Sequence, residues 1–382
     1  MGGIKEYIKN PYIRISVVFF VVRIVISIIM LVVASGNAEK AFLHWDGYWY
    51  KDIVDNGYDN AYPPYAPSAP ECNLNTDNCI RNFTFFPMYP MLVEAGSLTG
   101  IGSFSSGFIV SNLMYLGSIL ILFKLAKEFF NDEKKAYISA FALMLTPPAF
   151  VFSAYMTEST FVFLFILAYY LAYHKKWLWA GLAGLCLSAT RNTGVLFAVS
   201  YLLIWLEQNK FNFKSIFKDW RFILGGIFIP VGLLLFMLYL QIHVGDALGF
   251  VNLQKYWRGA DVAPNMLTGF IRSFYVWKFE VNPFNHLYDL AYFIALAGLF
   301  IINLKKKWLP LSMSIILLWI IIPMTTGSTK SLPRYAIVLF PIYLFIPLIF
   351  KGKWARVAYF AASTIGMIAF SVFYTKGLAI TI

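Results

Sequence analysis

The chain has 382 residues, 59% of them hydrophobic and only 13% charged, with a mean hydropathy of +0.66. A soluble domain carries about 25% charged residues, so composition excludes a soluble globular protein and predicts an all-α, polytopic membrane helix bundle. The net charge of +12 does not point to nucleic acid, because cytoplasmic loops of membrane proteins accumulate Lys and Arg as topology signals.

The first apolar run, 12–34, is too long for a signal-peptide core and reads as a retained span. Arg23 lies near its middle, too deep to snorkel, and is expected to face the bundle interior toward a carboxylate or a bound anion. Further runs follow at 104–126, 136–152, 157–173 and 177–206. The last is interrupted at Arg191 and Asn192 and divides into two short spans. Runs at 222–243, 286–304, 309–325, 335–350 and 355–375 bring the expected total to about eleven crossings. With that number, the basic clusters around Lys5, Lys124, Lys134, Lys175, Lys214, Lys305 and Lys353 all fall on one side, which is the cytoplasm.

This arithmetic holds only if the stretch 83–100 does not cross. Its segment Phe85-Phe86-Pro87-Met88-Tyr89-Pro90 has two prolines among aromatics, which suits a juxtamembrane helix on the outer face better than an uninterrupted span. The whole chain, 1–382, is thus expected to form a single membrane domain with two long outer loops, 35–103 and 244–285. The first is acidic, holding seven of the 19 carboxylates between Glu39 and Asp77. Cys72 and Cys79 share it and are able to pair if the loop is exported, whereas Cys186 lies in an apolar run. Asn82-Phe83-Thr84 matches an N-glycosylation sequon by pattern.

Within the first loop, 44–58 reads as a short helix closed by Gly57. At about 100° per residue, Trp45, Asp46, Trp49, Tyr50 and Ile53 share one arc, and Asp52, Asp55 and Asp59 fall on the solvated one. Asp46, a carboxylate among aromatics at the membrane edge, is the best candidate for a proton acceptor. The competing reading is that it only pairs with a cation such as His44 or Arg81. Glu158, Arg191, Arg258 and Arg334 come from four other parts of the chain and reach the same outer rim. One edge carboxylate, several arginines and lipid access fit transfer of a group from a lipid phosphate to a hydroxyl. The four His residues have no metal-ligand spacing, and neither a Walker A sequence nor a GxSxG elbow occurs. A lipid or polyprenyl-phosphate transporter is the main rival, although no inverted pair of broken helices is evident.

His44-Trp45-Asp46 with Trp49-Tyr50 and Gly57-Tyr58, then Phe85-Phe86-Pro87-Met88-Tyr89-Pro90, resembles the first outer loop of the GPI mannosyltransferase 2 (PIG-V) family of type C glycosyltransferases. Ser153 to Ser159, Ala189-Thr190-Arg191-Asn192-Thr193-Gly194 and Arg334-Tyr335 with Leu339-Phe340-Pro341 resemble its later motifs in the same order. The resemblance implies an outward-facing, inverting membrane glycosyltransferase that uses a polyprenyl-phosphate-linked sugar, typically mannose, and needs no cofactor or metal. It makes Asp46 the catalytic base, and Arg191, Arg258 and Arg334 the donor-phosphate residues. His44, Trp45, Trp49, Tyr50, Glu158 and Trp257 become substrate contacts. Asp46 lacks the adjacent second acid that many members of the superfamily have, and 60–82 and 244–285 show no match. The acceptor is therefore expected to be a glycan, glycolipid or protein of a prokaryotic cell surface, placing the chain in the cell membrane; a eukaryotic member would sit in the endoplasmic reticulum membrane.

Overall fold

The computed structural model describes residues 10–60, 81–253, 294–295, 297–302 and 332–378. Cys72, Cys79, Trp257, Arg258, the 309–325 run and most of 286–304 lie outside the described residues, so the number of crossings rests partly on sequence.

Among the described residues the structure is helical, without strands. Helix α1 (Pro11–Val33) is started by Asn10, whose side chain accepts from the Tyr12 amide at 2.9 Å, and by Pro11 in the first turn. Ile15, Phe19, Arg23, Ile26 and Met30 recur every three or four residues and are buried, while Val17, Phe20, Val21, Ile24 and Ile28 face outward. This is the pattern of a helix with one face on a bundle and the other in lipid. At 1.5 Å per residue it is about 34 Å long, enough for a hydrocarbon layer of about 30 Å.

Short helices α2 (Ala38–Phe42) and α3 (Asp46–Asn56) follow, then α4 (Met88–Ser97). Helix α4 is about 15 Å long, too short to cross, and packs on α3 and on α5 (Ser103–Phe130). The remaining helices are α6 (Glu133–Met144), α7 (Glu158–Tyr173), α8 (Trp177–Ser188), α9 (Phe197–Gln208), α10 (Trp220–His243), α11 (Gly249–Asn252), α12 (Leu332–Ala336), α13 (Pro341–Ile349) and α14 (Lys353–Thr375). Four of these helices, α1, α5, α10 and α14, are long and apolar enough to cross a membrane, and α7 and α8 are shorter apolar helices. The protein is an integral membrane protein.

Two expected spans are broken in the structure. The run 136–152 is α6 followed by a 3₁₀ segment, Pro147–Phe152, because two consecutive prolines stop the α-helical ladder. The run 335–350 is likewise no single span. Arg334 sits in the five-residue α12, and the chain turns before restarting at Pro341.

Side-chain contacts sort the helix ends into two groups. At one end, Tyr12 packs edge-on against Phe123, His174 meets Glu128 at 2.7 Å, Gln208 donates to the Tyr173 carbonyl and Trp205 donates to Asp219. The described basic clusters belong to this end. At the other end, Met88 donates its amide to the Ala189 carbonyl at 3.0 Å, Tyr155 donates its amide to the Phe42 carbonyl at 3.1 Å, and Tyr374 packs on His44 and Trp45. By the positive-inside rule the first end is expected on the cytoplasmic side and the second at the outer rim.

Helices α8 and α10 approach closely enough that a Cβ on Gly181 would lie 2.2 Å from the Gly225 carbonyl oxygen. Small residues permit this backbone contact between membrane helices. At the outer end of the pair, the Ser188 hydroxyl donates to the Ile229 carbonyl at 2.7 Å and accepts from the Leu233 amide at 3.2 Å. The segment after Ser188 is thereby fixed, and it carries Arg191.

Candidate active site

The short helix expected over 44–58 is α3, and Gly57 ends it at φ +82°, a conformation that glycine adopts without penalty. Trp45, just before it, has φ +48°, a left-handed value for a bulky residue that costs on the order of 1–3 kcal/mol. The turn this produces sets Asp46 at the helix start. The solvated arc is structural, as its composition suggests: Lys51 pairs with Asp55 at 2.5 Å, and Asp52 and Asp59 hold Asn82. Asn82 is 1% exposed and uses both amide hydrogens, one on Asp52 at 2.8 Å and one on the Gly57 carbonyl at 2.9 Å. The sequon pattern at 82–84 therefore does not present its asparagine for glycosylation.

Four ionisable side chains meet at the outer rim. Arg334 donates through one terminal nitrogen to Asp46 Oδ2 at 2.6 Å and through Nε to Glu158 Oε1. Arg191 donates to the same Glu158 oxygen at 2.6 Å and, through Nε, to the Thr157 hydroxyl at 3.0 Å. Acid and base alternate in the order Asp46, Arg334, Glu158, Arg191, so the chain of charges is formally neutral. The two acids differ sharply in setting. The Glu158 side chain is fully buried, whereas that of Asp46 is 25% exposed. Glu158 Oε2 is buried and has no hydrogen-bond partner among the described residues.

Three of the expected site residues, Glu158, Arg191 and Arg334, thus come together with Asp46. The cation that pairs with Asp46 is neither His44 nor Arg81 but Arg334. The two described arginines, expected to hold the donor phosphate, are engaged by carboxylates in this structure.

Trp45 and Trp49 are half-buried beside Asp46, with Trp49 stacked on Phe85 at 6.1 Å between ring centres. Tyr50, expected to touch substrate, is instead 4% exposed and wedged edge-on between Phe85 and Tyr89. Its hydroxyl bonds Thr157, and burial pushes its phenol well above the usual range. Tyr50 supports the Thr157 hydroxyl that in turn receives Arg191. His44 likewise points away from the charged cluster, with Nε2 at 2.9 Å from the Lys40 carbonyl and its ring 4.9 Å from that of Tyr374. The structure gives both residues packing parts because their polar atoms are taken by the protein itself.

Sequence reasoning missed Thr157, Tyr335 and Tyr374. Tyr335 lies under the Arg191 guanidinium at 5.7 Å, and Tyr374 closes the wall behind Trp45 from the end of α14. Thr157 and Tyr335 adjoin singled-out residues and were detectable as neighbours, whereas Tyr374 carries no local signal. Arg23 is 5% exposed, as its depth in α1 suggests, but no carboxylate meets it among the described residues; its guanidinium lies 5.7 Å from the Tyr115 ring centre.

The arrangement of helices is similar to that of the solved structure of ArnT from Cupriavidus metallidurans in the apo state, at a TM-score of 0.54 over 92% of this chain, with 14% sequence identity. It is also similar to ArnT from the same organism bound to undecaprenyl phosphate, at a TM-score of 0.52 over 94% of this chain, with 12% identity. The chain shares the fold of ArnT. It spans 62% of the length of the apo ArnT chain and 73% of the lipid-bound one. The sequence matches no protein-family model and no curated protein. In this fold the charged quartet lies at the outer rim, at the junction of the first outer loop with the starts of α7 and α12 and the end of α8.

Proposed function

We propose that the protein transfers a sugar from a polyprenyl-phosphate carrier to an acceptor hydroxyl at the outer membrane face, with inversion at the anomeric carbon. The observation that carries this reading is the inequality of two acids linked through one arginine. Glu158, buried between two guanidiniums, is held as a fixed anion, while Asp46 has one partner and an open side. Two carboxylates in such different settings take different roles, one positioning and one exchanging a proton. A fold similar to that of a protein solved with undecaprenyl phosphate supports a polyprenyl phosphate as carrier.

As the acceptor oxygen bonds the anomeric carbon, its proton moves to Asp46. The bond from that carbon to the phosphate oxygen breaks, and the lipid phosphate leaves with the electron pair. Protonation cancels the charge on Asp46 and releases Arg334 electrostatically just as negative charge grows on the departing phosphate. Arg191 and Arg334, with Arg258 outside the described residues, receive that charge, and such charge-assisted contacts are roughly twice as strong as neutral ones. Glu158 orients the substrate through the two guanidiniums it holds, and Trp45 and Trp49 line the sugar's path, with Trp257, outside the described residues, proposed as a further contact. Mannose is our choice of sugar and PIG-V our choice of family, on the motif resemblance, with a glycan, glycolipid or protein of the cell surface as acceptor.

The test is incubation of the purified chain in lipid with a panel of labelled polyprenyl-phosphate sugars, alongside Asp46→Asn. Transfer is expected from one sugar, falling by about 10²–10⁴-fold in the variant while donor binding persists. Retained turnover in Asp46→Asn rejects it as the base. Donor binding with no transfer to any acceptor favours a transporter.

A further inference from the structure

Helix α14 runs from Lys353 to Thr375, and its far end touches His44 and Trp45 through Tyr374. Its near end lies about 32 Å away at 1.5 Å per residue, on the cytoplasmic side. There a groove of about 680 Å³ opens between α6 and α14. Its mouth carries Lys134, Lys353 and Arg356, and its floor is apolar, including Ile138, Val357 and Phe360.

The groove lining contains three cations and no acid. Carboxylates do stand nearby, but they are engaged elsewhere: Asp132 holds Lys135 at 3.2 Å and Glu133 holds Lys127 at 2.6 Å. Lys134 makes no ion pair among the described residues, and Arg356 spends one terminal nitrogen on the Lys351 carbonyl at 2.9 Å. Helices α6 and α14 both begin here, so both present the positive ends of their dipoles to the same place. Trp354, 78% exposed with the Lys353 ammonium over its ring, marks the level of the membrane interface. Farther up the helix, Val357 and Ile365 are 50% and 68% exposed, at the depth of lipid chains.

We infer that this groove is a binding site for an anionic phospholipid, whose phosphate sits among Lys134, Lys353 and Arg356 and whose acyl chain follows Val357, Phe360 and Ile365 up α14. Charge complementarity selects the anionic headgroup, since basic pockets between helices on the cytoplasmic side hold such lipids. The apolar continuation selects a lipid over free phosphate. The site is distinct from the outer-rim quartet, and its existence does not depend on the transfer reaction.

The full chain is reconstituted with equal phosphatidylglycerol and phosphatidylcholine, extracted, and its retained lipids counted by native mass spectrometry. Phosphatidylglycerol is expected to remain preferentially, with at least a tenfold loss of that preference in the triple variant Lys134→Gln/Lys353→Gln/Arg356→Gln. Ile365→Trp, which alters the apolar path without touching a charge, is expected to reduce retention as well. Lys210→Gln/Lys214→Gln/Lys218→Gln, on the same face but outside the groove, is expected to have no effect. Equal loss in that control would show a general surface attraction and overturn the site. Unchanged retention in the groove variants would mean the groove is occupied by something else. Displacement of the lipid by inorganic phosphate alone would replace the lipid by a free anion.

Discussion

Asp46 and Arg334 are 288 residues apart in the chain and 2.6 Å apart in the folded protein. Their contact joins the first outer loop to the short helix that precedes α13, and Glu158 holds the other edge of the same guanidinium. Arginine suits this position because its planar fork serves two carboxylates at once, which a lysine ammonium does less well.

Arg334→Ala and Arg191→Ala should each weaken donor binding at least tenfold, because each removes a group assigned to the carrier phosphate, and a hydrogen bond to a charged group contributes about 1.5–3 kcal/mol. Arg334→Lys should recover only part of the loss. Equilibrium binding of a labelled lipid-linked donor checks this, and unchanged affinity in both alanine variants would remove them from the phosphate site.

Glu158→Ala leaves two guanidiniums without their shared anion, in a place where the Glu158 and Arg334 side chains are 0% and 4% exposed. Breaking a buried pair by removing one partner costs about 3–5 kcal/mol, so this variant should melt well below the wild type in detergent. Removing one cation as well, in Glu158→Gln/Arg191→Gln, should restore part of the stability. A wild-type melting temperature for Glu158→Ala would mean that solvent reaches the cluster.

Gly181→Val should destabilise the α8–α10 pair by about 1–3 kcal/mol through overpacking, since its new Cβ would fall 2.2 Å from a backbone oxygen. Gly226→Ala is the matched control, with nothing closer to its Cβ than Tyr201 Cε1 at 3.6 Å. Thermal melts of the two variants should diverge; equal melts would show that the helices separate freely.

Burial pushes the His44 imidazole below its usual value, against the opposing pull of the Lys40 and Thr375 carbonyls. The unfolded chain takes up a proton near pH 6.5, while the folded chain does so only at lower pH. The unfolded state therefore binds more protons in that window, and stability, complete above about pH 6.5, declines as the pH falls toward the folded value. His44→Gln should flatten this decline between pH 7 and pH 5 in melts of the purified protein. An identical slope in the variant assigns the acid sensitivity elsewhere.

Much of the architecture was legible in the sequence because hydrocarbon thickness imposes length and composition directly. The run 12–34 became α1, the break at Arg191 separated α8 from α9, and the segment with Pro87 and Pro90 formed the start of a helix too short to cross. Local rules failed where proline chemistry cut a hydrophobic run, as at Pro147 and Pro341. At the site, residue type and outer-rim placement brought Asp46, Glu158, Arg191 and Arg334 into consideration, but not their mutual pairing. Tyr50 and His44 shared a stretch with Asp46 and were assigned to substrate, although their polar atoms are satisfied inside the protein.

By itself the sequence determined that this is a helical membrane protein, that its basic clusters gather at one end, and which few ionisable residues stand at the far rim. Those features follow from solvation, and solvation acts on each segment separately. Only the tertiary structure decided that one arginine joins two carboxylates, that one of these acids is sealed while the other stays open, and that Asn82 is consumed by the loop it holds. Such pairings depend on helices distant in the chain being packed to within a few tenths of an ångström, which no local pattern encodes.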